Sequence, residues 1–183
     1  MSNSESIIIN KVRVSFPHFF KRPVINGEEG KCGGVFMLDP EADKLTIKHI
    51  EKAIDDLVTT DLKGRKPPGD KLCLRDGNDK GRPEYEGYLV LSASNRDRPV
   101  VMRGDGKTKI EDEADSPIYA GCYVNAKVRF WTQNNKFGKR INAELIAVQF
   151  HSDGDPLDGA YISEDDAMSG FEAVDNGDDF LAA

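Results

Sequence analysis

From Ile7 to Phe16 apolar and polar residues alternate, with Val12, Val14 and Phe16 on one side and Lys11, Arg13 and Ser15 on the other. A period of two predicts a strand with one face in a core and the other in water. A turn near Asn26-Gly27 and a second apolar run, Gly33 to Leu38, follow before Asp39-Pro40-Glu41, which has the form of a helix start. The period then changes. Leu45, Ile47, Ile50, Ile54, Leu57 and Val58 recur at helical spacing against a polar side of Lys44, Lys48, Glu51, Lys52, Asp55 and Asp56. One amphipathic helix ending near Thr60 is predicted, lying against a sheet. Residues 61–87 are rich in Gly, Pro and charge, with only Leu72 to Leu74 expected to be buried. Strand character returns at Tyr88 to Ser94 and at Pro99 to Arg103, and the polar link Asn95-Arg96-Asp97 suggests that these two form a hairpin.

The clearest strand is Cys122 to Thr132, in which Val124, Ala126, Val128 and Phe130 alternate with Tyr123, Asn125, Lys127, Arg129 and Trp131. A turn through Asn134 to Gly138 leads into a last strand, Arg140 to Phe150, and so short a connection predicts antiparallel pairing. The class is mainly β: a small antiparallel β-barrel or strongly coiled sheet with one helix between early strands, which leaves few open edges.

Composition adds a division. The 183 residues carry 25 Lys and Arg against 32 Asp and Glu, a net −7. Ten of the acids, and no Lys or Arg, fall between Ser152 and Ala183. The chain therefore reads as one domain, residues 1–151, near +3, followed by an acidic tail, 152–183, with too few large apolar residues to fold alone. A mobile anionic tail beside a cationic body suggests a decoy for a groove whose ligand is another polyanion. The three cysteines, Cys32, Cys73 and Cys122, are far apart in sequence and indicate neither a disulfide framework nor a zinc ribbon. With no signal-like segment and no apolar run near the ~20 residues of a membrane span, a soluble chain in a reducing cytoplasm is expected.

The outward stripe Tyr123, Lys127, Arg129 and Trp131, continued by Lys136, Phe137, Lys139 and Arg140, combines flat rings with cations. Single-stranded nucleic acid needs both, because its bases offer free π-faces and its phosphates attract cations. Arg96 and Arg98, near the expected hairpin, are further candidates; Lys21, Arg22 and Arg103 are weaker ones. No catalytic constellation, metal site or cofactor motif is expected. Gly106-Lys107-Thr108 resembles the end of a P-loop, but Val101 stands where its first Gly belongs and no apolar helix follows. Asp76, Asn78 and Gly81 fit a calcium loop, but Lys80 and Gly87 occupy liganding positions, so a turn is the better reading.

Three segments and the tail carry a resemblance: Val14-Ser15-Phe16-Pro17-His18, Arg98-Pro99-Val100-Val101, and Tyr119-Ala120-Gly121-Cys122-Tyr123-Val124-Asn125-Ala126 leading to Trp131. In their order they resemble bacteriophage single-stranded-DNA-binding proteins with an OB-fold and an acidic C-terminal tail, similar in plan to the T7-type replication proteins. The resemblance implies an OB-fold barrel that coats single-stranded DNA without strong sequence preference in phage replication or recombination, in the cytoplasm of a bacterial host. It also implies a disordered tail that recruits replication proteins such as DNA polymerase. Asp178-Asp179-Phe180 matches the acidic-aromatic ending of such tails, although Leu181-Ala182-Ala183 follow it. A protein-interaction adaptor acting through the tail is the alternative, and a metal-dependent nuclease using scattered carboxylates a weaker one.

Overall fold

Alternation along five long strands closes them into a barrel. The computed structural model describes residues 3–157 and 167–174. Its strands are β1 (Ile7–His18), β2 (Val24–Ile25), β3 (Glu28–Glu29), β4 (Cys32–Leu38), β5 (Leu74–Asp76), β6 (Leu89–Asn95), β7 (Val100–Met102), β8 (Tyr123–Asn135) and β9 (Gly138–Ser152), with one helix, α1 (Lys44–Asp61), between β4 and β5. The main sheet runs β5-β6-β4-β1-β8-β9-β7, and a further β6–β9 pairing joins it into a ring. Neighbours in the ring are antiparallel except β6 and β9, which meet in parallel at Ala93↔Ala143 and Ser94↔Glu144. Five strands closed in this way form an OB-like barrel, in which few backbone groups remain as open edge.

The inward residues are those the alternation marks: Val124, Ala126, Val128 and Phe130 of β8 are all buried, with Ile141, Ala143 and Leu145 of β9 beside them. Helix α1 contributes Ile47, Ile50, Ile54, Leu57 and Val58 to the same core. Leu45, by contrast, is 73% exposed, because it sits in the first turn on the side away from the barrel.

Two features of β1 depart from simple alternation. Lys11 and Phe16 have positive φ, 50° and 52°, and the pairing register shifts beside each of them. Such bulges bend a strand as tightly as a five-stranded barrel demands and turn the following side chains to the other face. Ser15 keeps the outer face, opposite Val35, where it is buried under Tyr85, whose hydroxyl donates to its Oγ at 2.9 Å, and after the bulge Phe16 points out as well. This reverses the expected face of Phe16; Ser15 keeps its expected face but is covered rather than wet.

The expected hairpin between residues 88 and 103 does not form. β6 and β7 both lie parallel to β9 at successive stations, with Val100↔Ala147 and Met102↔Gln149 continuing beyond Ser94↔Glu144. The antiparallel edge of β6 is already taken by β4 over its whole length, so the chain loops out and resumes along β9. Loop 61–87 also buries more than Leu72 to Leu74: Leu62 and Tyr85 are each 1% exposed.

The body does not stop at residue 151. β9 runs through Ser152, and residues 153–157 then pack back on the barrel. The Arg13 guanidinium donates to the carbonyls of Gly121 and Asp155, the Tyr119 hydroxyl donates to Gly154 O at 2.9 Å and accepts from Gly154 N at 3.0 Å, and Leu157 N donates to Ala120 O. Gly121, at φ 108°, is required here, since a Cβ would run into the Asp155 carbonyl. Leu157 packs on the buried cluster of Met37, Tyr85 and Val90. The first residues of the tail are thus part of the fold; the expectation of disorder for 158–166 and 175–183 falls outside the described residues.

Candidate nucleic-acid interface

A groove of about 820 Å³ crosses the outside of the barrel. Its floor is the outer face of β4 and β6, where Gly33, Val35, Ser92 and Ser94 offer little bulk. Glycine is needed at 33 because a Cβ there would strike the Ala93 carbonyl, so the floor stays flat. One wall comes from the β8–β9 hairpin, with Trp131 opposite Asn142 and Gln133 opposite Arg140. The other end carries Phe16 and His18 of β1, and the small β2–β3 hairpin brings Val24 and Ile25 to the rim. That hairpin turns through Asn26 and Gly27, both at positive φ, as a two-residue hairpin loop requires. Counting strand spacings from β8 through β9, β6 and β4 to β1, Trp131 and Phe16 lie roughly 19 Å apart around the sheet.

The groove is cationic. Lys31, Arg75 and Arg140 line it, and among the described residues no carboxylate does. Arg75 is pre-set: its Nε donates to Leu72 O at 2.9 Å and its Nη2 to Asp70 O at 2.8 Å, so backbone carbonyls orient the guanidinium without neutralising it. Cations facing a low-dielectric cleft without counter-charge attract polyanions. Cys73 also borders the groove, but burial pushes its thiol up to about 12, so it stays a protonated packing group rather than a nucleophile. Rings, unpaired cations and amide side chains suit stacking and phosphate contact, and no nucleophile–base pair accompanies them in the groove lining.

Comparison with known proteins assigns the family. A family model described as the single-stranded-DNA-binding protein of Enterobacter phage Enc34 matches residues 5–181. The chain belongs to the Enc34 single-stranded-DNA-binding family. Protein p50 of Acyrthosiphon pisum secondary endosymbiont phage 1 is 35% identical over 179 residues, covering 89% of this chain and 94% of its relative. The single-stranded-DNA-binding protein from bacteriophage Enc34 matches at 31% identity and a TM-score of 0.74, covering 88% of this chain and 89% of that one. The same protein in complex with single-stranded DNA gives a TM-score of 0.75, covering 84% of this chain and 89% of that one. T7 gp2.5 gives 16% identity and a TM-score of 0.46, covering 89% and 97%. The Enc34 family is one of binding proteins, not enzymes.

Within this Enc34-family chain, the residues singled out by the sequence are dispersed. Trp131 and Arg140 line the groove. Lys136, Phe137 and Lys139 occupy the exposed tip of the β8–β9 hairpin, with Lys136 Nζ 5.1 Å from the Phe137 ring centroid. Arg129 is the next outward residue after Trp131, but its Nε donates to Glu144 Oε2 at 2.9 Å and its Nη2 contacts the same oxygen, so its charge is engaged. Lys127 is exposed farther along β8. Tyr123, at the other end of that strand, lies beside Gly154 of the tail root and carries Lys11 Nζ 5.9 Å from its ring centroid. Arg96 is exposed in the link after β6. Arg98 lies over the Phe20 ring, donates to Glu111 O at 2.7 Å and shares a separate hollow with Asp112 and Glu113. Asp178, Asp179 and Phe180 fall outside the described residues.

Phe16, His18, Lys31 and Arg75 are groove residues that pattern reading missed. For Phe16 and His18 the Phe16-Pro17-His18 segment that carries the family resemblance is the one signal in the sequence; Lys31 and Arg75 have none. The two motif lookalikes are turns: Asp105 accepts from the backbone of Lys107 and Thr108, and Asp76 accepts from Asn78 N. Among the described residues no group of three or more His, Cys, Asp or Glu is arranged to hold a metal, and no helix is long and apolar enough to cross a membrane.

Proposed function

We propose that this chain binds single-stranded DNA in the groove between Trp131 and Phe16 and coats it largely without sequence preference in phage DNA replication and recombination. The observation that carries the reading is the groove itself: aromatic at its ends, lined among the described residues by three cations and no carboxylate, on a barrel shared with a phage protein solved in complex with single-stranded DNA. Bases stack on Trp131, and Lys31, Arg75 and Arg140 meet phosphates. Lys136, Phe137 and Lys139 extend the same wall. Among the described residues the floor's hydrogen-bonding side chains are the hydroxyls of Ser92 and Ser94, which donate and accept alike and so do not favour one base.

In the same reading the acidic tail occupies the groove when DNA is absent. Once displaced, it recruits replication proteins such as DNA polymerase through Asp178-Asp179-Phe180. Support comes from the tail root: Leu157 packs on Met37 and Val90, which lie on the outer face of β4 and β6 just beyond the groove floor.

The test is titration with oligo(dT), followed by the fluorescence of Trp131, the one tryptophan of the chain, at two salt concentrations. It is run on the full chain and on a chain ending after Leu157, which keeps the tail root. Binding that weakens with salt and tightens on truncation is expected; no binding at low salt would overturn the reading, and unchanged affinity on truncation would remove the tail's part in it.

A further inference from the structure

Phe16 sits at the bulge of β1 with its side chain turned into the groove. Its φ of 52° lies in the left-handed region, which bulky L residues rarely adopt and which glycine occupies freely. The residue is 39% exposed and lines the groove. The bulge that bends β1 thus also decides where an exposed aromatic ring meets the groove.

A single loop sets that position. Tyr85, 1% exposed, fixes Ser15 through the 2.9 Å hydrogen bond between their hydroxyls, which holds the residue immediately before Phe16. Three positions earlier in the same loop, Arg82 lies over the Phe16 ring, its Cζ 4.4 Å from the centroid. His18 flanks the ring at 6.4 Å with planes 26° apart. Arg82 does not line the groove, whereas Phe16 does. Its guanidinium is also drawn outward to Glu84, with Nη1 3.4 Å from Oε1.

We propose that Phe16 is a second base-stacking platform of the groove and that Arg82 is a positioning residue for it, acting on the ring rather than on phosphate. This rests on the groove being a single-stranded-DNA site. Arg82 covers part of the ring and restrains its rotamer, leaving the groove-facing side for a base. With Trp131 roughly 19 Å away around the sheet, the two rings serve different nucleotides of one strand.

The experiment compares the wild type with F16G, F16L, R82Q and R82K, using oligo(dT) and an abasic oligonucleotide of equal length across a salt series, with thermal unfolding alongside. For F16G, oligo(dT) affinity falls about 5- to 150-fold, the equivalent of roughly 1–3 kcal/mol per stacked base. Abasic binding is unchanged and the unfolding midpoint does not fall, since glycine relieves the strained φ. F16L, which keeps apolar bulk but no flat π-face, shows the same loss of oligo(dT) binding at wild-type stability. R82Q weakens oligo(dT) binding about 2- to 5-fold with the salt slope unchanged, and R82K recovers part of the loss.

Wild-type oligo(dT) affinity in both Phe16 variants would overturn the platform, as would unfolding of both. A salt slope lowered by about 0.7 in R82Q, with equal loss on both oligonucleotides, would make Arg82 a phosphate contact and overturn its positioning role. If the wild type binds neither oligonucleotide, the reading of the groove falls and this inference falls with it. Loss confined to the variants' oligo(dT) binding supports both.

Discussion

Replacing Glu144 with Gln should strengthen DNA binding and make it more sensitive to salt. The wild-type carboxylate engages Arg129 through Nε and Nη2, one outward position along β8 from Trp131, or roughly 7 Å of strand. Three cations, Lys31, Arg75 and Arg140, line the groove. Each phosphate neutralised on a single strand contributes about −0.7 to the slope of log affinity against log salt, so three contacts give a slope near −2. Between 50 and 200 mM salt that is a loss of about 18-fold.

Glu144→Gln leaves the Arg129 guanidinium with a neutral neighbour and adds a fourth cation to the same surface. The slope then moves to about −2.8 and the loss over the same salt range to about 50-fold, with tighter binding at the low-salt end. Arg140→Gln moves it the other way, to about −1.4 and a loss of about 7-fold. The pair is partly exposed, 39% for the Arg129 side chain and 28% for Glu144, so breaking it costs folding stability on the order of 0–1 kcal/mol and the variant remains folded. The assay is oligo(dT) titration at four or more salt concentrations on full-length proteins, so that the tail contributes equally to each and cancels in the differences. A Glu144→Gln slope equal to wild type would show that Arg129 lies off the DNA path. An unchanged slope in Arg140→Gln would refute the assignment of the groove cations to phosphates.

The tail root gives a stability test: a chain stopped after Ser152 loses the Leu157 contact and the hydrogen bonds to Tyr119 and Ala120, and should unfold a few degrees to about 10 °C below a chain stopped after Leu157, for a net of about 1–3 kcal/mol. Equal midpoints would mean that the docked segment contributes nothing. Burial raises the thiol pKa of Cys32, Cys73 and Cys122, and all three are buried, so a disulfide reagent at pH 8 should label none of them before denaturation. Hydrogen bonds from the Thr108 hydroxyl, then from the backbone of Thr108 and Lys107, hold the Asp105 carboxyl at about 2, below its ordinary 3.8. Because the folded value is the lower one, the turn's contribution to stability is present above pH 3.8 and lost as pH falls through about 2. An NMR titration should place the Asp105 midpoint there in the wild type and move it upward in Thr108→Val.

Local regularities in this chain were legible, and long-range closures were not. The inward set of β8 and the antiparallel β8–β9 hairpin depend on neighbours in sequence, so alternation and one short turn sufficed, and with them came Trp131 and Arg140. Phe16 was assigned to the wrong face because a bulge reverses the alternation after it, and where a bulge falls is decided by how tightly the barrel must bend. The β6–β7 misreading has the same origin: proximity along the chain suggested a hairpin, but closing the ring requires β9, which arrives some fifty residues later in the β6 pairing. Lys31, just before β4, and Arg75, in β5, belong to the groove only because β4 and β5 are both paired with β6, a juxtaposition that no local pattern encodes. The tail was read from charge alone, and charge does not reveal that Arg13, Tyr119 and Gly121 hold its first residues by backbone hydrogen bonds and close packing.

The outer face of β4 and β6 is divided between two uses. Gly33, Val35, Ser92 and Ser94 form the floor of the groove, while Met37 and Val90, the next outward positions on the same strands, are covered by Tyr85 and Leu157. One such step along a strand is roughly 7 Å, so the tail starts within about a nucleotide's length of the groove end. Under the competition proposed above, a tether anchored that close would supply its carboxylates to the groove at an effective concentration in the millimolar range, without needing a strong contact of its own. Competition of this kind depends on the anchor as much as on the acids. If the tail competes in this way, Gly121→Ala, which drives a Cβ into the Asp155 carbonyl and frees the root, should tighten oligo(dT) binding while leaving all ten acids in place. Should Gly121→Ala bind oligo(dT) no more tightly than the wild type, the anchor would have no part in the competition, and tail charge alone would have to account for it.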